Sequence, residues 1–274
     1  MWKKIFLLVF LVAFIGKGFH LARDGFNIRK IAPIFPKDIS SDCKFTEEAR
    51  GALDQTYRYL AKGRQSYAFV SVDGQYVLKL PRFDRFRLPF SLRMHPFLKE
   101  RRIAFLQEQE KRYRFLLNSF VIAEKDLKEE TGILYLHIGE TDFLKQDLEI
   151  VTQTGEHFSL PLDKTLFILQ KRVPLMTPFL LGGEDAVQVF HSFLDCIAVR
   201  ARKGIFNKDP TFLKNFGYDG SKVIQFDVGS FYRKGEGLEE DSFLGTVQLI
   251  QRWVEKEHPE FLVPLQEKVA SLGF

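Results

Sequence analysis

The chain has 274 residues, with 40 Lys and Arg against 35 Asp and Glu and a formal charge of +5 at pH 7. Its 45% apolar and 27% charged residues are those of a folded globular protein, which excludes disorder, a collagen-like repeat and a multi-span membrane protein. Two cysteines, Cys43 and Cys196, exclude a disulfide scaffold and a four-Cys zinc site, and the length points to one large domain or two lobes.

In chain order, Lys3 and Lys4 precede an apolar run over residues 5–15, which reads as a signal peptide or short membrane anchor occupying 1–22. Pro33, Pro36 and the polar stretch at 38–42 read as an N-terminal extension and linker, 23–56. Thr46 with Glu47 and Glu48 opens a helix predicted to reach about Leu60. Two β-rich runs around Asp73-Gly74 predict a hairpin, the second run ending in Tyr76-Val77-Leu78-Lys79-Leu80. A basic, Pro-marked connector covers 81–96, and a helix is expected over 97–117. Strands are expected at 120–123, 133–138, 166–169 and 223–226, with helices at 184–202 and between 238 and 272. A β-rich first half feeding a helical second half predicts an α+β fold of two lobes, divided at 172/173.

Five features along this framework carry possible chemistry. Gly63 and Ser66 sit in a strand–turn–strand position where backbone N–H groups and a hydroxyl can cover phosphates. Lys79 is an ammonium inside an apolar strand, a rigid point charge of the kind a polyphosphate needs. In the helix that follows, Ile103, Leu106, Glu110, Tyr113 and Leu117 step by three and four. Glu110 therefore interrupts an expected inward stripe and is the expected partner of Lys79, with Glu108 as second choice. Asn207-Lys208-Asp209 with Asn215, and Asp227-Val228-Gly229 at the end of an apolar strand, place two carboxylates and an amide on neighbouring loops. Such a set can orient a hydroxyl and hold Mg²⁺ through oxygen.

Together these residues resemble the protein-kinase-like superfamily of protein kinases and aminoglycoside and choline phosphotransferases, over roughly 57–232. Residues 63–69 resemble a reduced Gly-rich loop, and Tyr76-Val77-Leu78-Lys79 the strand that carries the phosphate-binding Lys. Asn207-Lys208-Asp209 stands where the family has H-R-D, and Asp227-Val228-Gly229 resembles D-F-G. The resemblance implies a bilobal protein-kinase-like fold with a β-rich N-lobe (57–172), a reduced, mainly helical C-lobe (173–274) and an N-terminal hydrophobic segment. It implies ATP and Mg²⁺ as cofactors, Asp209 and Lys79 as catalytic residues, and Gly63, Ser66, Lys79 and Glu110 as nucleotide-binding. Asn215 and Asp227 become the metal ligands. The family spacing puts Lys214 in the slot of the metal-binding Asn, and a one-residue bulge is needed to bring Asn215 there instead. No intact Gly-rich loop, A-P-E or long activation segment follows the family pattern.

Three functions stay open on these residues. One is a phosphotransferase moving the ATP γ-phosphate to a hydroxyl acceptor. Another is a membrane-associated pseudokinase acting as a binding or scaffold module. The last is a surface protein with no nucleotide site. Residues 79–114 hold eleven Lys and Arg against four Asp and Glu, so an anionic membrane surface or an acidic partner is expected there. Nucleic acid is not expected, for want of a supporting motif. The N-terminal segment makes the chain membrane-associated or exported, on a side the charges leave undecided.

Overall fold

The computed structural model describes residues 24–89, 91–92, 99–182, 185–209, 211–234 and 238–273. The expected N-terminal hydrophobic segment lies outside them. Among the described residues no helix is long and apolar enough to cross a membrane.

The first half is a seven-stranded sheet. Helix α1 (Glu47–Leu53) opens where Thr46 Oγ1 accepts the Ala49 N–H at 3.2 Å, with Glu47 and Glu48 in the first turn. It stops seven residues short of the expected end, because Tyr57 is already committed to strand β1 (Tyr57–Lys62), paired with β2 (Ser66–Ser71). Residues 57, 67 and 69 are all fully buried, so cross-strand packing overrides any local helical preference. The Asp73-Gly74 turn, with Gly74 at φ +75°, returns the chain into β3 (Tyr76–Pro81) as expected.

Next comes α2 (Lys99–Asp126), then the short helix α3 (Lys128–Thr131) and β4 (Ile133–His137). The apolar run 120–123, expected as a strand, is the last part of α2. Phe120 and Ala123 point into the core three residues apart, while Val121 and Ile122 are half-buried, which is helical periodicity. Strands β5 (Asp147–Val151) and β6 (His157–Pro161) form a hairpin that the sequence reading passes over, and β7 (Phe167–Lys171) completes the sheet. The strand order is β4-β7-β3-β2-β1-β5-β6, antiparallel except where β1 runs parallel to β5.

The second half is mainly helical. It comprises α4 (Thr177–Gly182), α5 (Ala186–Arg202), two small antiparallel pairs, then α6 (Glu239–Glu257) and α7 (Leu262–Leu272). The pairs are β8 (Ile205–Asn207) with β11 (Phe231–Arg233), and β9 (Phe216–Tyr218) with β10 (Val223–Gln225). The chain crosses into this half along residues 173–176, which lie against β9. A Cβ on Gly217 would stand 2.5 Å from the Pro174 carbonyl oxygen, so the crossing needs a residue with no side chain there.

Three apolar clusters hold the molecule. One fills a face of the sheet and takes in Phe26, Ile31, Ala49 and Leu53, so the stretch read as extension and linker is integral to the core. A helical cluster is built on Phe190, Phe193, Leu194, Ile197, Phe243 and Ile250. The third lies between the sheet and α2, where Leu117, Phe120, Leu136 and Ile168 meet Ile205, Val228 and Phe231 from the second half. That shared cluster, excluded from water, fixes the two halves against each other.

Candidate functional site

Two small strand pairs assemble the acidic part of the site. Asn215 immediately precedes β9 and Asp227 lies two residues past the end of β10, so the β9–β10 pairing sets them side by side. The Asn215 carbonyl accepts the backbone N–H groups of Phe226 at 3.1 Å and Asp227 at 3.4 Å. Asp209 follows β8, and the β8–β11 pairing brings its loop to the Gly229–Ser230 segment; the Lys208 N–H donates to the Ser230 carbonyl at 3.0 Å. Helix α2 clamps the same segment through the buried Ser119 hydroxyl. It donates to the Val228 carbonyl and accepts from the Phe231 N–H, each at 2.6 Å.

Lys79 reaches this assembly from the sheet. In β3 it pairs in register with Ala68 of β2 and Ile168 of β7, which fixes its stem. Its ammonium donates to the Phe226 carbonyl at 2.5 Å, one residue before Asp227. Burial lowers its pKa to about 8, with the nearby Asp227 charge pulling the other way. Gln170 of β7 donates to the same carbonyl at 3.3 Å. This second sheet-borne polar contact is a residue that the sequence reading missed, although a Gln within Phe-Ile-Leu-Gln is the same kind of interruption as Lys79.

The Asp209 carboxylate accepts the Thr211 N–H at 2.9 Å, and its own N–H is held by Asn207 Oδ1 at 3.0 Å. Burial alone would raise this carboxyl. The Thr211 backbone and side chain, the Asn215 amide and the Arg64 charge outweigh it and hold the group below its ordinary value. The Asn215 amide approaches Asp209 without reaching hydrogen-bonding geometry, and its buried Nδ2 has no partner. Asn215 is buried at 7% exposure, its side chain acting on Asp209, whereas Lys214 is on the surface. Asp227 and Asn215 offer oxygen donors of the sort Mg²⁺ accepts, one or two from protein with phosphate and water completing the shell. The orphaned Asn215 atom is the Nδ2 donor, which calls for an acceptor such as a phosphate oxygen and is not itself a metal ligand. Among the described residues no group of three or more His, Cys, Asp or Glu is placed to hold a metal.

Gly63 and Ser66 bracket the β1–β2 turn, where the Gly63 N–H donates to the Ser66 carbonyl at 2.8 Å. Two turn residues not singled out in the sequence reach over the loops. Arg64 stands close enough for its charge to act on Asp209, and Gln65 Nε2 donates to the Gly229 carbonyl at 3.0 Å. Nothing in the local sequence marks either one, because both act across more than 140 residues of chain.

Glu110 is not brought to Lys79. It lies on the outer face of α2, its side chain 62% exposed, and pairs with Arg114 one turn along at 3.1 Å; Glu108 does the same with Arg112 at 2.9 Å. The inward stripe is out of phase with the expected one. Ile103 and Leu106 are exposed, and the buried positions are Gln109, Leu116, Leu117, Ser119, Phe120, Ala123 and Glu124. No carboxylate from α2 meets the ammonium, and its acidic neighbour is Asp227. Within the basic run 79–114, Arg82, Arg112 and Arg114 are ion-paired to Asp84, Glu108, and Asp38 and Glu110, and Arg85 donates to the Arg64 carbonyl. Part of that run is therefore structural. Arg93 lies outside the described residues.

No family model matches the chain, and no curated protein matches its sequence. Among solved structures, the co-crystal structure of WbdD and kinase inhibitor LY294002 is similar at 17% identity and a TM-score of 0.38, over 77% of this chain and 45% of that one. The crystal structure of monomeric WbdD aligns at 17% identity and a TM-score of 0.36, over 74% and 45%. A structure of the bifunctional kinase-methyltransferase WbdD aligns at 16% and 0.33, over 76% and 43%. The chain spans less than half the length of these structures.

Proposed function

We propose that the protein is a kinase-like phosphotransferase that moves the γ-phosphate of ATP to a hydroxyl acceptor. One observation carries the reading. The Lys79 ammonium, fixed in the sheet, lies against the Phe226–Asp227 segment, and the loops that flank that segment bear Asp209 and Asn215. A strand-borne cation beside the Asp227 segment, with a second carboxylate and an amide on the neighbouring loops, supports phosphoryl transfer, since catalysis in this class is mostly positioning and charge stabilisation.

In this reading Lys79 holds phosphate oxygens, and the β1–β2 turn with Gly63 and Ser66 covers them. Asp209, kept ionised by its hydrogen bonds, orients the acceptor hydroxyl and takes its proton as the oxygen bonds to the γ-phosphorus. The bond from that phosphorus to the β,γ-bridging oxygen breaks and ADP leaves. Mg²⁺, when bound, would neutralise charge on the phosphate oxygens, with Asp227 and Asn215 as its protein ligands. Lys79 departs from the family pattern in being steadied by the Phe226 carbonyl and the Asp227 charge instead of a helix carboxylate.

Thermal unfolding of the full chain with ATP and Mg²⁺ tests this. Nucleotide at a hundredfold excess over its Kd adds about 2.7 kcal/mol of stability. Asp227→Ala is expected to remove the Mg²⁺-dependent part. Absence of any Mg²⁺-dependent stabilisation by ATP would overturn the reading.

A further inference from the structure

Arg200 is an unusual residue for its position. It lies in the last turn of α5 at 3% exposure, and among the described residues no carboxylate pairs with it. Nη1 donates to Gln225 Oε1 at 2.8 Å and Nη2 to Thr246 Oγ1 at 3.2 Å, both neutral groups. Its Nε is buried with no partner, and so is Gln225 Nε2 beside it. A guanidinium withdrawn from water without a counter-charge is costly, and every unfilled hydrogen-bonding position at this pair is a donor. Among the described residues no negatively charged acceptor is paired with the guanidinium.

Arg200 also lines a cavity of about 210 Å³ whose wall includes Asn207, Lys208 and Asp209. Phe212 and Leu249 give the cavity an apolar side, and Leu249 is partly exposed. A buried cation and the acceptor-orienting carboxylate thus share one small chamber, large enough for a compact organic group and too small for a polymer.

We propose that this cavity binds the anionic group, phosphate or carboxylate, of a small hydroxyl compound, with Arg200 as its counter-charge and the compound's hydroxyl directed to Asp209. The assignment of the hydroxyl rests on the phosphotransferase reading; the anion site does not. Arg200 is charged at neutral pH and keeps an unpartnered Nε–H to donate, which suits it to either oxyanion.

The experiment is calorimetric titration of the full chain with inorganic phosphate and with acetate, at constant ionic strength and without nucleotide or Mg²⁺. Saturable binding of at least one anion is expected, weakened at least tenfold in Arg200→Gln. Leu249→Trp fills the cavity from its partly exposed side while leaving the guanidinium in place. It should weaken binding by a similar factor, and it carries the test if Arg200→Gln does not fold. Binding of neither anion, or undiminished binding to Leu249→Trp, overturns the proposal. Anion binding in a chain that fails to bind ATP with Mg²⁺ supports the site and overturns its role toward Asp209.

Discussion

Gln65 in the β1–β2 turn and Gly229 in the segment after Asp227 touch directly, the Gln65 amide donating to the Gly229 carbonyl at 3.0 Å. A Cβ on Gly229 would stand 1.5 Å from Gln65 Oε1, so the glycine is needed for the approach of this side chain. The turn proposed to cover phosphates is thereby bonded to the loop proposed to hold metal.

Because one contact joins the two positions, their substitutions should not add. Gln65→Ala is expected to cost about 1 kcal/mol, the worth of one hydrogen bond. Gly229→Ala displaces the flexible end of Gln65 and should cost a similar amount, whereas the double variant should cost little more than either alone. Denaturant unfolding of the four proteins measures this; strictly additive losses would mean the residues do not act as a unit.

Lys79 makes stability depend on pH in a stated direction. Its folded pKa, about 8, lies below the ordinary 10.5. Below pH 8 the folded state carries a partly buried charge that the unfolded state keeps in water. Between about 8 and 10.5 the folded form gives up its proton first, so this penalty is relieved as pH rises. Lys79→Met should therefore be more stable than the natural chain at pH 7, by about 1–3 kcal/mol, with the gap closing toward pH 10. The Phe226 carbonyl retains Gln170 as a donor in that variant. Nucleotide affinity should fall as pH rises through about 8. Denaturation midpoints and nucleotide titrations across pH 6–10 check both; a Met variant less stable at pH 7 would contradict the stated cost.

The two slots left undecided by the spacing of residues separate by mutation. Asn215→Ala is expected to weaken Mg²⁺-dependent ATP binding at least tenfold, while Lys214→Ala, at a surface position, should leave it within twofold. Glu110→Ala should do no more than remove an exposed i,i+4 pair, worth about 0.3–0.5 kcal/mol. Nucleotide titration with and without Mg²⁺ decides among them, and a large loss in Glu110→Ala would restore a role for that carboxylate.

The amino-acid sequence by itself determined what local chemistry controls. Asp73-Gly74 specifies its hairpin through a left-handed glycine, the alternation at 66–71 builds a strand with one buried face, and of the face expected at Val187, Phe190, Leu194 and Ile197 all but the exposed Val187 mark the inward side of α5. Each depends on residues within a few positions of one another, and Lys79 and Asp227 are legible because each interrupts or ends such a run. Only the tertiary structure decided which polar groups meet. The phase of α2 turned Glu110 outward, because the packing of Leu117, Phe120 and Ala123 against the sheet sets that helix's rotation over 28 residues, and a drift of one position moves a side chain by 100°. Asn215 rather than Lys214 is buried beside the Asp227 backbone because β9 pairs with β10, and Gln65, Arg64 and Arg200 gain their places from partners in distant segments. Contacts of that kind follow from how three apolar clusters close around each other, and no spacing along the chain encodes them.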